Sequence, residues 1–148
     1  KNYFEKYREI DFLFGSVKKH TLQHGFYPKK ILWTFGFYTS HSVGFFIKSE
    51  AQKKIGHYNI KYKYSSDYDL FFRMIVKFKM KGMATNKNEV MGHFGLSGLS
   101  SRLKYIDYLN ENTQIRLDNG QNKFIVWCIH YLRFFKRIFR IIKEKNKT

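Results

Sequence analysis

Two aspartates stand either side of a tyrosine in Ser66-Asp67-Tyr68-Asp69-Leu70, and Arg73 follows four positions after the second. Ser65 and Ser66 precede a helical pattern, so Asp67 sits where a helix begins. The free N–H groups and partial positive charge of a helix start favour the ionised carboxylate. An ionised carboxylate can accept a proton, which is the chemistry of a general base. Asp69 points to a different part of the helical circumference and suits that role less. Its spacing to Arg73 makes an i, i+4 ion pair natural. The plain alternatives are an N-cap at Asp67 and a surface pair at Asp69 and Arg73.

The elements that must position these residues can be read along the chain. Lys1 to Tyr7 has the look of a helix end. Ile10 to Val17 is short, apolar and β-prone, as a buried strand would be, and Thr21 to Tyr27 suits an edge strand closed by Pro28. Lys30 to Tyr38 is aromatic-rich and fits a loop or short helix near a site. Val43 to Lys48 reads as a second buried strand, followed by a helix that Ser49 caps and Gly56 ends. The helix from Asp67 to about Met80 carries Leu70, Phe71, Met74, Ile75 and Phe78 on its core face, and Gly82 stops it. Met83 to Phe94 suggests one more strand. Gly95 to Ser101 is a Gly/Ser loop, Arg102 to about Leu117 a helix, and Asn119-Gly120 a turn before the final helix. The class is α/β, with few strands, an incomplete sheet and a helical C-terminal third.

Composition sets the outer bounds. The 148 residues suit one domain, and 43% hydrophobic with 20% aromatic residues excludes disorder for most of the chain. No apolar run reaches the roughly 18 residues that cross a bilayer. Cys128 is the single cysteine, and the histidines are scattered, so no disulfide framework or metal cluster of recognisable spacing is present. The chain opens at Lys1, without Met or a signal-type apolar segment, which suggests a piece of something longer.

The formal charge of +17 attracts polyanions such as nucleic acid, anionic lipid or nucleotide phosphates. Lysine far outnumbers arginine, and Phe, Tyr, Ile and Asn are abundant, as an AT-rich coding sequence would produce. Part of the basicity is therefore background, and no recognisable nucleic-acid module is visible.

The stretch His41 to Arg73, HSVGFFIKSEAQKKIGHYNIKYKYSSDYDLFFR, sets a His before a strand, then a helix, a Gly-Tyr-rich step and the Ser66-Asp67-Tyr68-Asp69-Leu70 helix start. With the later Gly95-Leu96-Ser97-Gly98-Leu99-Ser100, this order resembles family 2-type glycosyltransferases of the GT-A fold, especially those building bacterial-type surface polysaccharides. The resemblance runs from about Ile10 to Leu117. It implies a partial GT-A, Rossmann-like glycosyltransferase domain over 1–118 with a basic amphipathic helical extension over 119–148. The family's nucleotide-binding half comes first and carries paired aspartates that hold a divalent metal, and nothing before Ile10 supplies them. The chain would then be the C-terminal, acceptor-side portion, incomplete as a catalyst. Its Mg2+ or Mn2+ would have ligands outside this chain.

What the resemblance implies for residues follows the same order. Asp67 would take the proton of the acceptor hydroxyl as it attacks the anomeric carbon, with inversion. Asp69 could touch the acceptor and Arg73 organise the site. His41 could hydrogen-bond acceptor or diphosphate, or be satisfied by nearby backbone. His93, Gly95, Ser97 and Gly98 could form a donor loop whose N–H groups bend around the diphosphate, or only a connector. Trp33, Phe37 and Tyr38 could make an aromatic wall for a sugar ring, though core packing is the default. The partners implied are a nucleotide-sugar donor and a glycan or lipid-linked acceptor, in the cytoplasm or on the inner face of a membrane.

The final helix, Lys123 to Lys145, has the clearest periodicity. Phe124, Trp127, Cys128, Tyr131, Leu132, Phe135, Ile138, Phe139 and Ile142 share a broad apolar face, with Arg133, Lys136, Arg137 and Arg140 gathered opposite. From Gln121 onward eight Lys/Arg meet a single acid, Glu144. Such a helix can lie on an anionic membrane or pack on its own domain. The reading from another function class is a non-catalytic basic module for anionic membrane or nucleic acid. A third is the remnant of a split gene.

Overall fold

The structure, a computed structural model, describes residues 2–32, 42–95, 104–139 and 142. The protein is mixed α/β and divides into two compact units, Lys1–His57 with Arg73–Leu96, and Tyr58–Phe72 with Ser97–Thr148.

The first unit opens with helix α1 (Tyr3–Lys6) and then strands β1 (Phe12–Phe14), β2 (Ser16–Lys18) and β3 (Leu22–Gln23). A 3-10 turn at Pro28–Leu32 and another at Ser42–Gly44 lead to β4 (Phe45–Ile47) and helix α2 (Ser49–Ile55). After the π-helical turn Arg73–Lys77 come β5 (Gly82–Ala84) and β6 (Val90–His93). The strands form two sheets, ordered β4-β1-β5 and β3-β2-β6. In each, the central strand has one antiparallel and one parallel neighbour.

The strand expected over Ile10 to Val17 is therefore two strands that serve different sheets. The break falls at Gly15, whose N–H turns to the carbonyl of Gly44 at 2.7 Å. A Cβ there would lie 2.1 Å from Met91 Cγ and 2.7 Å from Met91 Cβ, so the Met91 side chain packs where any larger residue would place its own. Phe12 and Phe14, two residues apart, share one face of β1 and meet Phe26 and Phe45 with ring centroids 5.3–6.2 Å apart. Phe12, Leu13, Phe14 and Val17 are buried, and this aromatic cluster is the core of the unit.

Three further expectations are corrected. β4 is an edge strand, paired only with β1, and its Phe46 is exposed rather than buried. Met83 to Phe94 holds two strands, separated by a turn at Asn86–Glu89. The helix expected from Asp67 to Met80 is α-helical only to Phe72. Beyond it the bonds widen, with Phe78 N–H reaching Arg73 O and Met80 N–H reaching Met74 O. Lys79, at φ +50°, turns the chain out of this wide coil. Gly82 is not the stop but a strand residue that makes room for the Phe12 ring. Helix α2 stands where the sequence places it and ends at Gly56, whose N–H closes on Gln52 O, with Ala51 and Ile55 facing inward one turn apart. The cap, however, is Lys48, and Ser49 is the first helical residue, with no side-chain bond capping the helix.

The second unit contains helices α3 (Ser66–Phe72), α4 (Tyr105–Asp118) and α5 (Lys123–Lys136), with helical residues continuing to Phe139. Leu109, Thr113 and Arg116 recur at helical spacing on the buried side of α4, with Asn112 and Ile115 beside them. Asn119 and Gly120 end α4, and Asn122 caps α5 by accepting the Ile125 N–H at 3.2 Å. The final helix packs on α4 within this unit. The side that packs is Val126, Ile129 and His130; Phe124, Leu132, Phe135 and Phe139 on the expected apolar face are exposed. Among the described residues no helix is long and apolar enough to cross a membrane.

Candidate functional site

Asp67 occupies the second position of α3, so it is not the N-cap; that place belongs to Ser65, whose carbonyl accepts the Asp69 N–H at 3.0 Å. The Ser65 hydroxyl is buried without a hydrogen-bond partner among the described residues. Asp67 is half-buried and its Oδ1 accepts the N–H of Tyr68 at 2.8 Å, one of the first-turn amides the helix leaves free.

Two phenols lie within the electrostatic reach of Asp67. Burial chiefly, and the Asp67 charge next, push the Tyr58 hydroxyl above its ordinary pKa. Tyr108 is raised by burial first and by Asp67 as well, while Arg133 acts against both. The charges of Asp67 and Arg133 are thus both felt at phenols of the second unit. The negative charge favours neutral, proton-donating phenols, so the set offers hydroxyl donors and a carboxylate acceptor together.

Asp69 is turned the other way. It is buried, and its Oδ1 accepts from Asn119 Nδ2 at 3.0 Å. Tyr68 is buried too, and its hydroxyl accepts from Arg116 Nε at 2.9 Å. The guanidinium of Arg116 also reaches Gln121 Oε1 at 3.2 Å and lies over the Phe72 ring. The Asp67-Tyr68-Asp69 run thus puts one carboxylate at the surface and anchors its next two residues to α4 and its cap. Beside them, Asp118 accepts from Lys61 at 2.6 Å and from the Tyr62 hydroxyl at 2.7 Å, and these bonds hold its carboxyl down at about 2.

A groove of about 510 Å3 also belongs to this unit, lined by Tyr64, Asp107, Asn110, Glu111 and Gln114. Glu111 fixes its wall by accepting the backbone N–H groups of Lys63 and Tyr64. The groove presents one aromatic ring beside carboxylates and amides. That mixture suits a polyhydroxylated ligand, whose C–H face packs on the ring while its hydroxyls bond to the polar groups.

Arg73, His93 and Gly95 belong to the first unit. The Arg73 guanidinium donates to the carbonyls of Ile55 and, at 2.8 Å, of His57. It thereby satisfies carbonyls left open at the end of α2, a place where the helix dipole favours a cation. His93 is exposed at the end of β6, and Gly95 is exposed with open space where a Cβ would be. Trp33, Phe37, Tyr38, His41, Ser97 and Gly98 lie outside the described residues. Among the described residues no three His, Cys, Asp or Glu side chains form a group able to hold a metal ion.

No protein family, curated protein or solved structure matches this chain.

Proposed function

We propose that this chain is the acceptor-side portion of a GT-A-type glycosyltransferase, with Asp67 as the general base. The observation that carries the reading is the half-buried carboxylate of Asp67 in the first turn of α3, bonded to the Tyr68 N–H, with its charge felt at the Tyr58 and Tyr108 hydroxyls. Asp67 would remove the proton from an acceptor hydroxyl. That oxygen then bonds to the anomeric carbon of a nucleotide sugar, and the carbon–oxygen bond to the diphosphate breaks. The electron pair leaves with the diphosphate, the proton stays on Asp67, and attack from the opposite face inverts the anomeric centre. The buried bond of Asp69 to Asn119 favours Asp67 over Asp69 for this task.

The groove at Tyr64 and Glu111 would hold part of a glycan or lipid-linked acceptor. The Mg2+ or Mn2+ that the resemblance implies would have its ligands outside this chain, and among the described residues no group of three His, Cys, Asp or Glu could hold it. The nucleotide-sugar half would be contributed by residues outside this chain, and surface polysaccharide synthesis at the inner face of a membrane is the setting proposed.

The reading is tested on the chain itself by saturation-transfer NMR with a set of oligosaccharides. Binding that weakens on Tyr58→Ala and Tyr64→Ala, and persists in Asp67→Asn, is the result expected. Oligosaccharides that give no transfer, while RNA oligonucleotides bind with steep salt dependence, would replace it with the nucleic-acid reading.

A further inference from the structure

We propose that the outward face of α5 docks the protein on an anionic lipid bilayer. The inference is independent of the chemistry at Asp67.

The helix has two unlike sides. Val126, Ile129 and His130 are buried against the unit, while Phe124, Leu132, Phe135 and Phe139 are 77%, 72%, 64% and 85% exposed. At helical spacing these four, with Trp127 and Tyr131, fall within about 140° of arc. Five large side chains held this far out of the core on one face of one helix, with Phe139 just past its end, form a continuous apolar surface, not scattered exposure.

The charges decide what covers it. By helical spacing the exposed Lys123 and Lys136 flank this face on its two sides, whereas Arg133 and Arg137 fall on the packed side, Arg137 over the Tyr105 ring at 5.8 Å. A helix lying in the plane of a bilayer sinks its apolar face roughly 5–10 Å into the headgroup boundary and keeps its cations at headgroup level. Those cations would then sit within about a Debye length of anionic lipid, roughly 8–10 Å. Trp127 and Tyr131, with their apolar bodies and polar tips, suit that boundary. A second copy would cover the same face only by bringing two chains of formal charge +17 together. An anionic bilayer satisfies the apolar face and the charge at once.

The chain contains two tryptophans, so Trp33→Phe leaves Trp127 as the single indole reporter. The test mixes this variant, and the unaltered chain, with vesicles of phosphatidylcholine alone or with added phosphatidylglycerol. Expected are co-sedimentation with the phosphatidylglycerol vesicles that weakens in high salt, and quenching of Trp127 emission by brominated lipid. The pair Leu132→Glu with Phe135→Glu, both exposed and so harmless to the fold, should lower partitioning on the order of a hundredfold. Lys123→Gln with Lys136→Gln, the two exposed cations flanking the face, should lower it on the order of thirtyfold. No partitioning into anionic vesicles, or partitioning untouched by the Leu132 and Phe135 changes, overturns the proposal. So does a dimer in sedimentation that those two changes dissolve while vesicles are ignored; the face would then belong to a second copy.

Discussion

Asn119 donates one side-chain amide to both Asp69 Oδ1, at 3.0 Å, and Ile115 O, at 2.9 Å. The end of α4 and the second aspartate of the Asp67-Tyr68-Asp69 run are thereby tied through a single nitrogen. Asp69→Ala removes a charged acceptor from a buried site and should cost about 1–3 kcal/mol. Asp69→Asn keeps an acceptor oxygen and should cost less. Urea midpoints of the two variants check this, and equal losses would show that the bond to Asn119 contributes little.

Tyr68 and Arg116 form the companion anchor. Tyr68→Phe leaves the buried Nε–H without the hydroxyl it donates to, at a cost of about 1–3 kcal/mol. Arg116→Lys should fail to rescue packing, because a point ammonium cannot serve Tyr68 and Gln121 in one planar fork while lying over Phe72. Thermal unfolding of each variant measures the effect.

Acid should weaken the second unit in two stages. Burial lowers the His130 pKa below its ordinary 6.5, and His130 Nδ1 meets Thr113 Oγ1 at 2.9 Å. Between those two values the unfolded chain binds the extra proton and the folded one does not. Stability from His130 is thus full above pH 6.5 and declines as pH falls through the folded value. Asp118, held at about 2 against 3.8 by Lys61 and Tyr62, contributes above pH 3.8 and loses its contribution as pH falls through about 2. His130→Gln should flatten only the upper stage and Asp118→Asn only the lower. Unfolding midpoints followed across pH separate the two, and an unchanged upper slope in His130→Gln would refute the assignment.

Gly82 tests the core of the first unit. A Cβ at this position would lie 2.1 Å from the Phe12 ring, whose side chain is wholly buried. Gly82→Ala should therefore destabilise by about 1–3 kcal/mol through overpacking. Adding Phe12→Leu should cost less in the Gly82→Ala background than alone, a coupling that a double-mutant cycle reads directly.

The sequence made some of this visible and hid the rest for identifiable reasons. Helix α2, the Asn119-Gly120 turn and α4 carry local signals of spacing and breakers, and each stands close to where those signals point. Ile10 to Val17 is apolar or small almost throughout, so no alternation marked the change of sheet at Gly15. Asp67 was readable from its place at a helix start. Its neighbours Tyr58 and Tyr108 arrive from other segments and leave no mark in local spacing. The Arg73 bonds to Ile55 and His57 are equally non-local, whereas the i, i+4 rule looks only along one helix. For α5 the pattern identified the apolar face correctly as a stripe. Periodicity alone does not say which side is packed, and here the narrower side of Val126, Ile129 and His130 is the buried one.

The most direct test of the central claim is sugar transfer by the product of the complete reading frame, wild type against Asp67→Asn. Radiolabelled nucleotide sugars serve as donors and membrane-derived glycans as acceptors. The account predicts that Asp67→Asn lowers turnover by about 10²–10⁴-fold while donor affinity stays as in the wild type. Turnover within about twofold of wild type, given an active parent, would contradict Asp67 as the base, because general-base removal does not leave rates that close.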